Sequence, residues 1–234
     1  MRGIPLGAWS VSALALFTFV GGASAQTTSS AVLNSLEVQE LIKRAEPADH
    51  ARLEVHFAVL AEQYAADAKR HNAMAQAFIA SPIRRTAANS AADHCKRLER
   101  LNLQSARTLR ELAAHHEGLA AGKASAVPRG AARFEAGAGA TAPNAEELTA
   151  LVAKASLPAD HRALQEYFLT LAKRYAADAS DHVAMAQAYR GTRIAQAAVH
   201  CDRLVTLSKD SAREATAAAA MHKELAGLTR KHRR

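Results

Sequence analysis

Two stretches of this chain repeat one another at a fixed spacing of 111 residues. Residues 47–78 read PADHARLEVHFAVLAEQYAADAKRHNAMAQAF, and residues 158–189 read PADHRALQEYFLTLAKRYAADASDHVAMAQAY. The two align without a gap, with 19 of 32 positions identical. The shared positions include His50 with His161, Tyr64 with Tyr175, Asp67 with Asp178, His71 with His182 and Met74 with Met185. After a five-residue deletion the match resumes at a spacing of 106, which pairs His94-Cys95 with His200-Cys201 and His116 with His222. Eight of the 11 histidines and both cysteines thus recur, although many positions between them have diverged.

Within each copy the repeated residues step by three and four. The first series is His50, Leu53, Phe57, Leu60, Tyr64, Asp67, His71, Met74 and Phe78. The second is His161, Leu164, Phe168, Leu171, Tyr175, Asp178, His182, Met185 and Tyr189. This is the heptad seam of helices that pack at shallow angles. Pro47 and Pro158 suit the first turn of a helix, so a long helix is expected to begin at each. Asn34 with Glu37, and Asn144 with Glu147, form helix-start boxes that predict short amphipathic helices over about 35–45 and 145–155. Ser81-Pro82 and Gly191-Thr192 end the long helices. Returning helices are expected over about 87–120 and 193–228, with His94, Leu98, Leu101, Leu112, His116 and Leu119 facing inward in the first and His200, Leu204, Leu207, Ala218, His222 and Leu225 in the second. The fold class expected is all-α: two tandem helical hairpins, each with a short leading helix, packed as an antiparallel four-helix bundle. A homodimer formed through the same faces is the alternative to a monomer, because one hairpin alone buries too little apolar surface.

The ends have different chemistry. Arg2, the apolar run from Val11 to Val20 and the small residues Ala23-Ser24-Ala25 read as a signal peptide over residues 1–25. That run is too short to span a bilayer comfortably, and no second stretch of about 20 apolar residues follows. A mature chain of 234 − 25 = 209 residues is expected in the periplasm or secreted, with no transmembrane span. Residues 26–120 and 144–229 make up the two hairpin repeats, and the glycine- and alanine-rich residues 121–143 are expected to link them flexibly. Residues 230–234 form a basic tail, and the whole chain carries a formal charge of +8. Export and the absence of any nucleic-acid motif argue against nucleic acid as a partner, which leaves an anionic envelope surface attracted to the tail.

Antiparallel hairpins place residues of constant index sum at one height. His71 with Cys95 and His50 with His116 both sum to 166, while His182 with Cys201 and His161 with His222 both sum to 383. Ligand-type side chains are therefore expected at two levels of each hairpin. Near the turn, His71, Met74, His94, Cys95 and Asp67 gather, matched by His182, Met185, His200, Cys201 and Asp178. His, Met and Cys together suit copper, above all Cu(I), and His with Cys or Asp suits zinc. The aspartates are either ligands or partners that orient the imidazoles. At the linker end, His50, His116, His161 and His222 are candidates for secondary metal sites.

Competing expectations remain open at this point. Met74 and Met185 are also ordinary core residues, and buried Asp–His contacts can fix helix register without any ion. Tyr64 is a further member of such a network through its hydroxyl. In an oxidising compartment Cys95 and Cys201 are candidates for a disulfide as well as for thiolate ligation. Heme b between a Met and a His is a third reading; the chain has no C-x-x-C-H for covalent attachment. No catalytic constellation is visible: there is no phosphate-cradling glycine loop, nucleophile elbow or H-E-x-x-H. The functional expectation is a non-catalytic protein that sequesters or carries copper or zinc, with a structural or interaction module of the cell envelope as the alternative.

Overall fold

The computed structural model of the protein describes residues 32–81, 85–122 and 144–231. The expected signal peptide, residues 123–143 of the expected linker and the last three residues of the tail lie outside the described residues. The described residues form six helices: α1 (Ser35–Arg44), α2 (Pro47–Ala80), α3 (Arg85–Ala120), α4 (Ala145–Lys154), α5 (Pro158–Arg190) and α6 (Ala197–Lys231). No strand occurs among the described residues, so the fold is all-α.

The helix starts follow local chemistry. Asn34 Oδ1 accepts from the Glu37 N–H at 3.0 Å, and the Glu37 carboxylate accepts from the Asn34 N–H at 2.9 Å. Asn144 and Glu147 make the same reciprocal pair at 2.8 and 3.1 Å. These four bonds satisfy amide groups that a helix start leaves orphaned. Pro47 and Pro158 each occupy the first turn of a long helix. There the missing N–H costs nothing, and Asp160 accepts from the Leu157 N–H at 3.0 Å. α1 stops at Ala45, which takes the left-handed conformation (φ 54°) while its N–H reaches the Leu41 carbonyl. The sixth helix starts later than its pattern suggests, at Ala197, because residues 191–196 form a succession of turns. It runs on to Lys231, so Arg230 and Lys231 of the basic tail are helical.

α2 packs along α3, α5 along α6, and α3 along α6. The returning helices carry small buried residues at their inner positions, among them Ser105, Ser211, Ala215 and Ala218, and these allow close backbone approach. α2 and α5 meet through longer side chains instead. The short helices cross over: α1 packs on α5 as well as on α2, and α4 packs on α2 as well as on α5. α1 buries Val38, Leu41 and Ile42, and α4 buries Leu148 and Val152. Each leading helix therefore covers apolar surface of both repeats. Burying one such aliphatic side chain contributes about 1.5–3 kcal/mol.

The inner side chains form repeating layers. His50 with His116, and His161 with His222, meet as the index sums require. Tyr64 stacks on Tyr175 across α2 and α5, with centroids 6.3 Å apart. Asn102 to Tyr175 and His116 to Tyr189 are both contacts between α3 and α5, and both pairs differ by 73 in number. Together these registers define five levels one heptad, about 10 Å, apart. From one end they are His50–His116–Tyr189, then Phe57–Leu109–His182–Cys201, then Tyr64–Asn102–Tyr175–Ser208. Next come His71–Cys95–Phe168–Ala215, and finally Phe78–His161–His222. The middle level maps onto itself when the two repeats are exchanged.

Candidate metal-binding interior

Every repeated imidazole except those of His94 and His200 lies inside. His71, His116 and His222 are fully buried, and His50, His161 and His182 are nearly so. Desolvation pushes His71 and His182 down to about 4, and His116 and His222 to about 3, so all four are neutral at pH 7. Neutral imidazole is the form that binds metal.

In the fourth level, His71 and Cys95 face the interior with no exposed surface, and Met74, one turn on, is equally buried. Among the described residues, neither ring nitrogen of His71 has a hydrogen-bond partner. Its nearest aromatic neighbour is Tyr167, with centroids 6.5 Å apart. Asp67 does not orient His71: its carboxylate is clasped by Arg70 on one oxygen and Arg174 on the other. In the second level, His182, Met185 and Cys201 repeat the set, and Nδ1 of His182 is likewise without a partner. Asp178 accepts from the Tyr64 hydroxyl at 2.7 Å and so is also engaged elsewhere.

The two cysteines are free thiols. They occupy levels two heptads, about 21 Å, apart, and a disulfide needs Cα atoms within about 7 Å. The disulfide expectation is therefore corrected: antiparallel packing of α3 on α6 carries Cys95 and Cys201 to opposite sides of the middle level. Burial pushes both thiols up to about 12.

His94 and His200 do not join the imidazoles of the interior. His94 Nδ1 meets the Glu214 carboxylate together with Arg97, on the flank where α3 meets α6. His200 lies 3.6 Å from Glu111 on the same flank. Adjacent residues on a helix point to different faces, so Cys95 and Cys201 turn inward while His94 and His200 turn to the flank. Among the described residues, no group of three or more His, Cys, Asp and Glu side chains is arranged to hold an ion. A set of one His, one Cys and one Met has only two members of those four types.

No protein family, curated protein or solved structure matches the chain.

At the ends, His50 and His116 approach Nδ1 to Nδ1 at 3.1 Å, and His161 and His222 at 3.3 Å. Aromatic rings wall them in: Phe57 stacks on His116 at 5.6 Å, and Phe168 on His222 at 5.6 Å. Sequence reasoning overlooked three groups here. The Tyr189 hydroxyl lies 2.7 Å from His116 Nε2, and only the heptad position of Tyr189 hinted at it. His56, absent from the second copy, is buried and accepts the Leu33 N–H on Nδ1 at 3.0 Å. Glu111 and Glu214 partner the flank histidines, and they sit at unrelated positions of the repeat.

The flank between α3 and α6 also holds a groove of about 520 Å³ lined by Arg97, Arg100 and Arg213 together with Asp210 and Glu214. Its cations are interleaved with carboxylates, so it presents no concentrated positive field. No described helix is long and apolar enough to cross a membrane.

Proposed function

We propose that the chain is an exported antiparallel four-helix bundle that takes up a soft transition-metal ion in its interior, copper(I) ahead of zinc(II), for sequestration or carriage without catalysis. The observation that carries this reading is His71: a fully buried imidazole with neither nitrogen hydrogen-bonded, at the level of a free thiol and one turn from a buried thioether. Leaving a buried polar group unpaired costs about 1–3 kcal/mol, and a bound ion removes that cost at the nitrogen it binds. Imidazole, thiolate and thioether are a ligand set for Cu(I). The set recurs as His182, Cys201 and Met185, giving one site per repeat. His94, His200, Asp67 and Asp178 act outside these sites, as partners of charged or hydroxyl groups.

Anaerobic titration with Cu(I) against a competing chelator tests the reading. Two ions per chain are expected, one after His71→Ala, and none after His71→Ala with His182→Ala, while the helical circular dichroism persists. Absence of uptake at micromolar copper, or an unchanged stoichiometry in the double variant, overturns it. A second reading, a plain envelope scaffold, is favoured by the middle level, where Tyr64 and Tyr175 both find acceptors without any ion. The same titration separates the two readings, because a scaffold takes up no copper.

A further inference from the structure

We infer that the two histidine pairs at the ends are separate sites for a divalent ion such as zinc(II), and that Tyr189 makes His50–His116 the tighter one. The pairs use different residues from the soft-metal sites proposed above, so either proposal stands without the other.

Zinc binds imidazole nitrogen at about 2.0–2.1 Å, so two such ligands at a tetrahedral angle are about 3.3 Å apart. The Nδ1 atoms stand 3.1 Å apart in one pair and 3.3 Å in the other. The two nitrogens of each pair therefore already stand at the separation that two ligands of one tetrahedral ion require. Each pair joins the first turns of a long helix to the end of its returning helix, and one member of each keeps a little accessible surface: His50 is 5% and His161 8% exposed. An ion can enter at these ends, and water completes its coordination.

The two ends differ in what holds the inner imidazole. For Nδ1 of His116 to bind an ion, its proton must sit on Nε2. The Tyr189 oxygen, 2.7 Å away, accepts that proton's hydrogen bond and fixes both tautomer and ring orientation. Partners of this kind are worth about 10–100-fold in metal affinity. Phe78 stands in the equivalent place at the other end. Its ring lies 5.8 Å from His222, and His222 Nε2 has no partner. The repeats thus supply the same ligand types, and His116 gains a tyrosine partner at Nε2 where His222 meets a phenylalanine. At His50–His116 binding draws on neutral imidazole lone pairs, since burial holds both rings below their ordinary range, with one tautomer shift and no net proton release.

The test is calorimetric titration of zinc(II) into the full chain carrying Cys95→Ala and Cys201→Ala, which removes the thiols. Two events of about tenfold different affinity are expected. His50→Ala with His116→Ala should delete the tighter event, and His161→Ala with His222→Ala the weaker. Tyr189→Phe should weaken the tighter event about tenfold, and Phe78→Tyr should strengthen the weaker one by a similar factor. The Phe78→Tyr gain keeps the test decisive if Tyr189→Phe loosens the fold. Unchanged zinc stoichiometry in the paired alanine variants, or no affinity change in a helical Phe78→Tyr protein, overturns the proposal.

Discussion

The Tyr64 hydroxyl donates to the Asp178 carboxylate at 2.7 Å, tying α2 to α5 across 114 positions of sequence. Burial pushes the Asp178 carboxyl upward, and this hydrogen bond acts against that shift. Tyr64→Phe removes a donor to a charged acceptor and should cost about 1.5–3 kcal/mol in urea unfolding. Asp178→Asn in the same background should then add little, because the two residues share one interaction. Strictly additive losses would show that they act independently.

The buried imidazoles set the response to acid. His56, His71 and His182 are held down to about 4, and His116 and His222 to about 3, chiefly by burial. The titratable neighbours are Asp67, Arg70 and Arg174 beside His71, and His50 and His115 beside His116. An unfolded chain protonates these rings near pH 6.5, well before the folded one does. Stability is therefore complete above about pH 6.5 and falls as pH drops toward 4, by about 1.4 kcal/mol per pH unit for each ring. Thermal melts at pH 7.5, 6 and 5 should show the midpoint falling steadily. A midpoint independent of pH over that range would contradict the burial of these rings.

Ala45 is the one described non-glycine residue with positive φ, at 54°. The left-handed region costs an L-residue about 1–2 kcal/mol, which glycine avoids. Ala45→Gly should therefore stabilise the protein by about 0.5–1 kcal/mol after its own entropy cost. Ala155 ends α4 at φ −66°, so Ala155→Gly should be destabilising by a similar amount. Chemical denaturation of the two variants reads the opposite signs directly.

Thiol ligation leaves a proton signature. Burial holds Cys95 and Cys201 protonated, with both thiols pushed up to about 12. Only the thiolate binds metal, so each copper(I) taken up at a thiol should release about one proton at pH 7. Titration in buffers of different ionisation enthalpy measures this number, and Cys95→Ala with Cys201→Ala should abolish it. Copper uptake with no proton release would remove the thiols from the ligand set.

Much of the architecture was legible in one dimension. The heptad steps, the two Asn–Glu boxes and the two prolines located four helix starts, because each acts within a turn or two of chain. The index sums of 166 and 383 correctly brought His50 to His116 and His161 to His222, since an antiparallel hairpin leaves register little freedom. The crossing of α1 onto α5 was not legible, because Val38, Leu41 and Ile42 make an apolar stripe that fits any partner of matching shape. His94 and His200 also resisted reading. Their neighbours Cys95 and Cys201 turn inward, but only the α3–α6 contact supplies Glu214 and Glu111 to hold them on the flank.

The sequence by itself determined the helices, the doubling of the unit and the pairing of rings within each hairpin, because these depend on interactions a few residues apart or on one tight turn. Tertiary structure alone decided how the hairpins face each other. That choice separated the cysteines by two levels, left His71 buried without a partner and gave His116 a tyrosine where His222 meets a phenylalanine. Such outcomes depend on side chains more than seventy positions apart sharing one volume, which local periodicity does not encode.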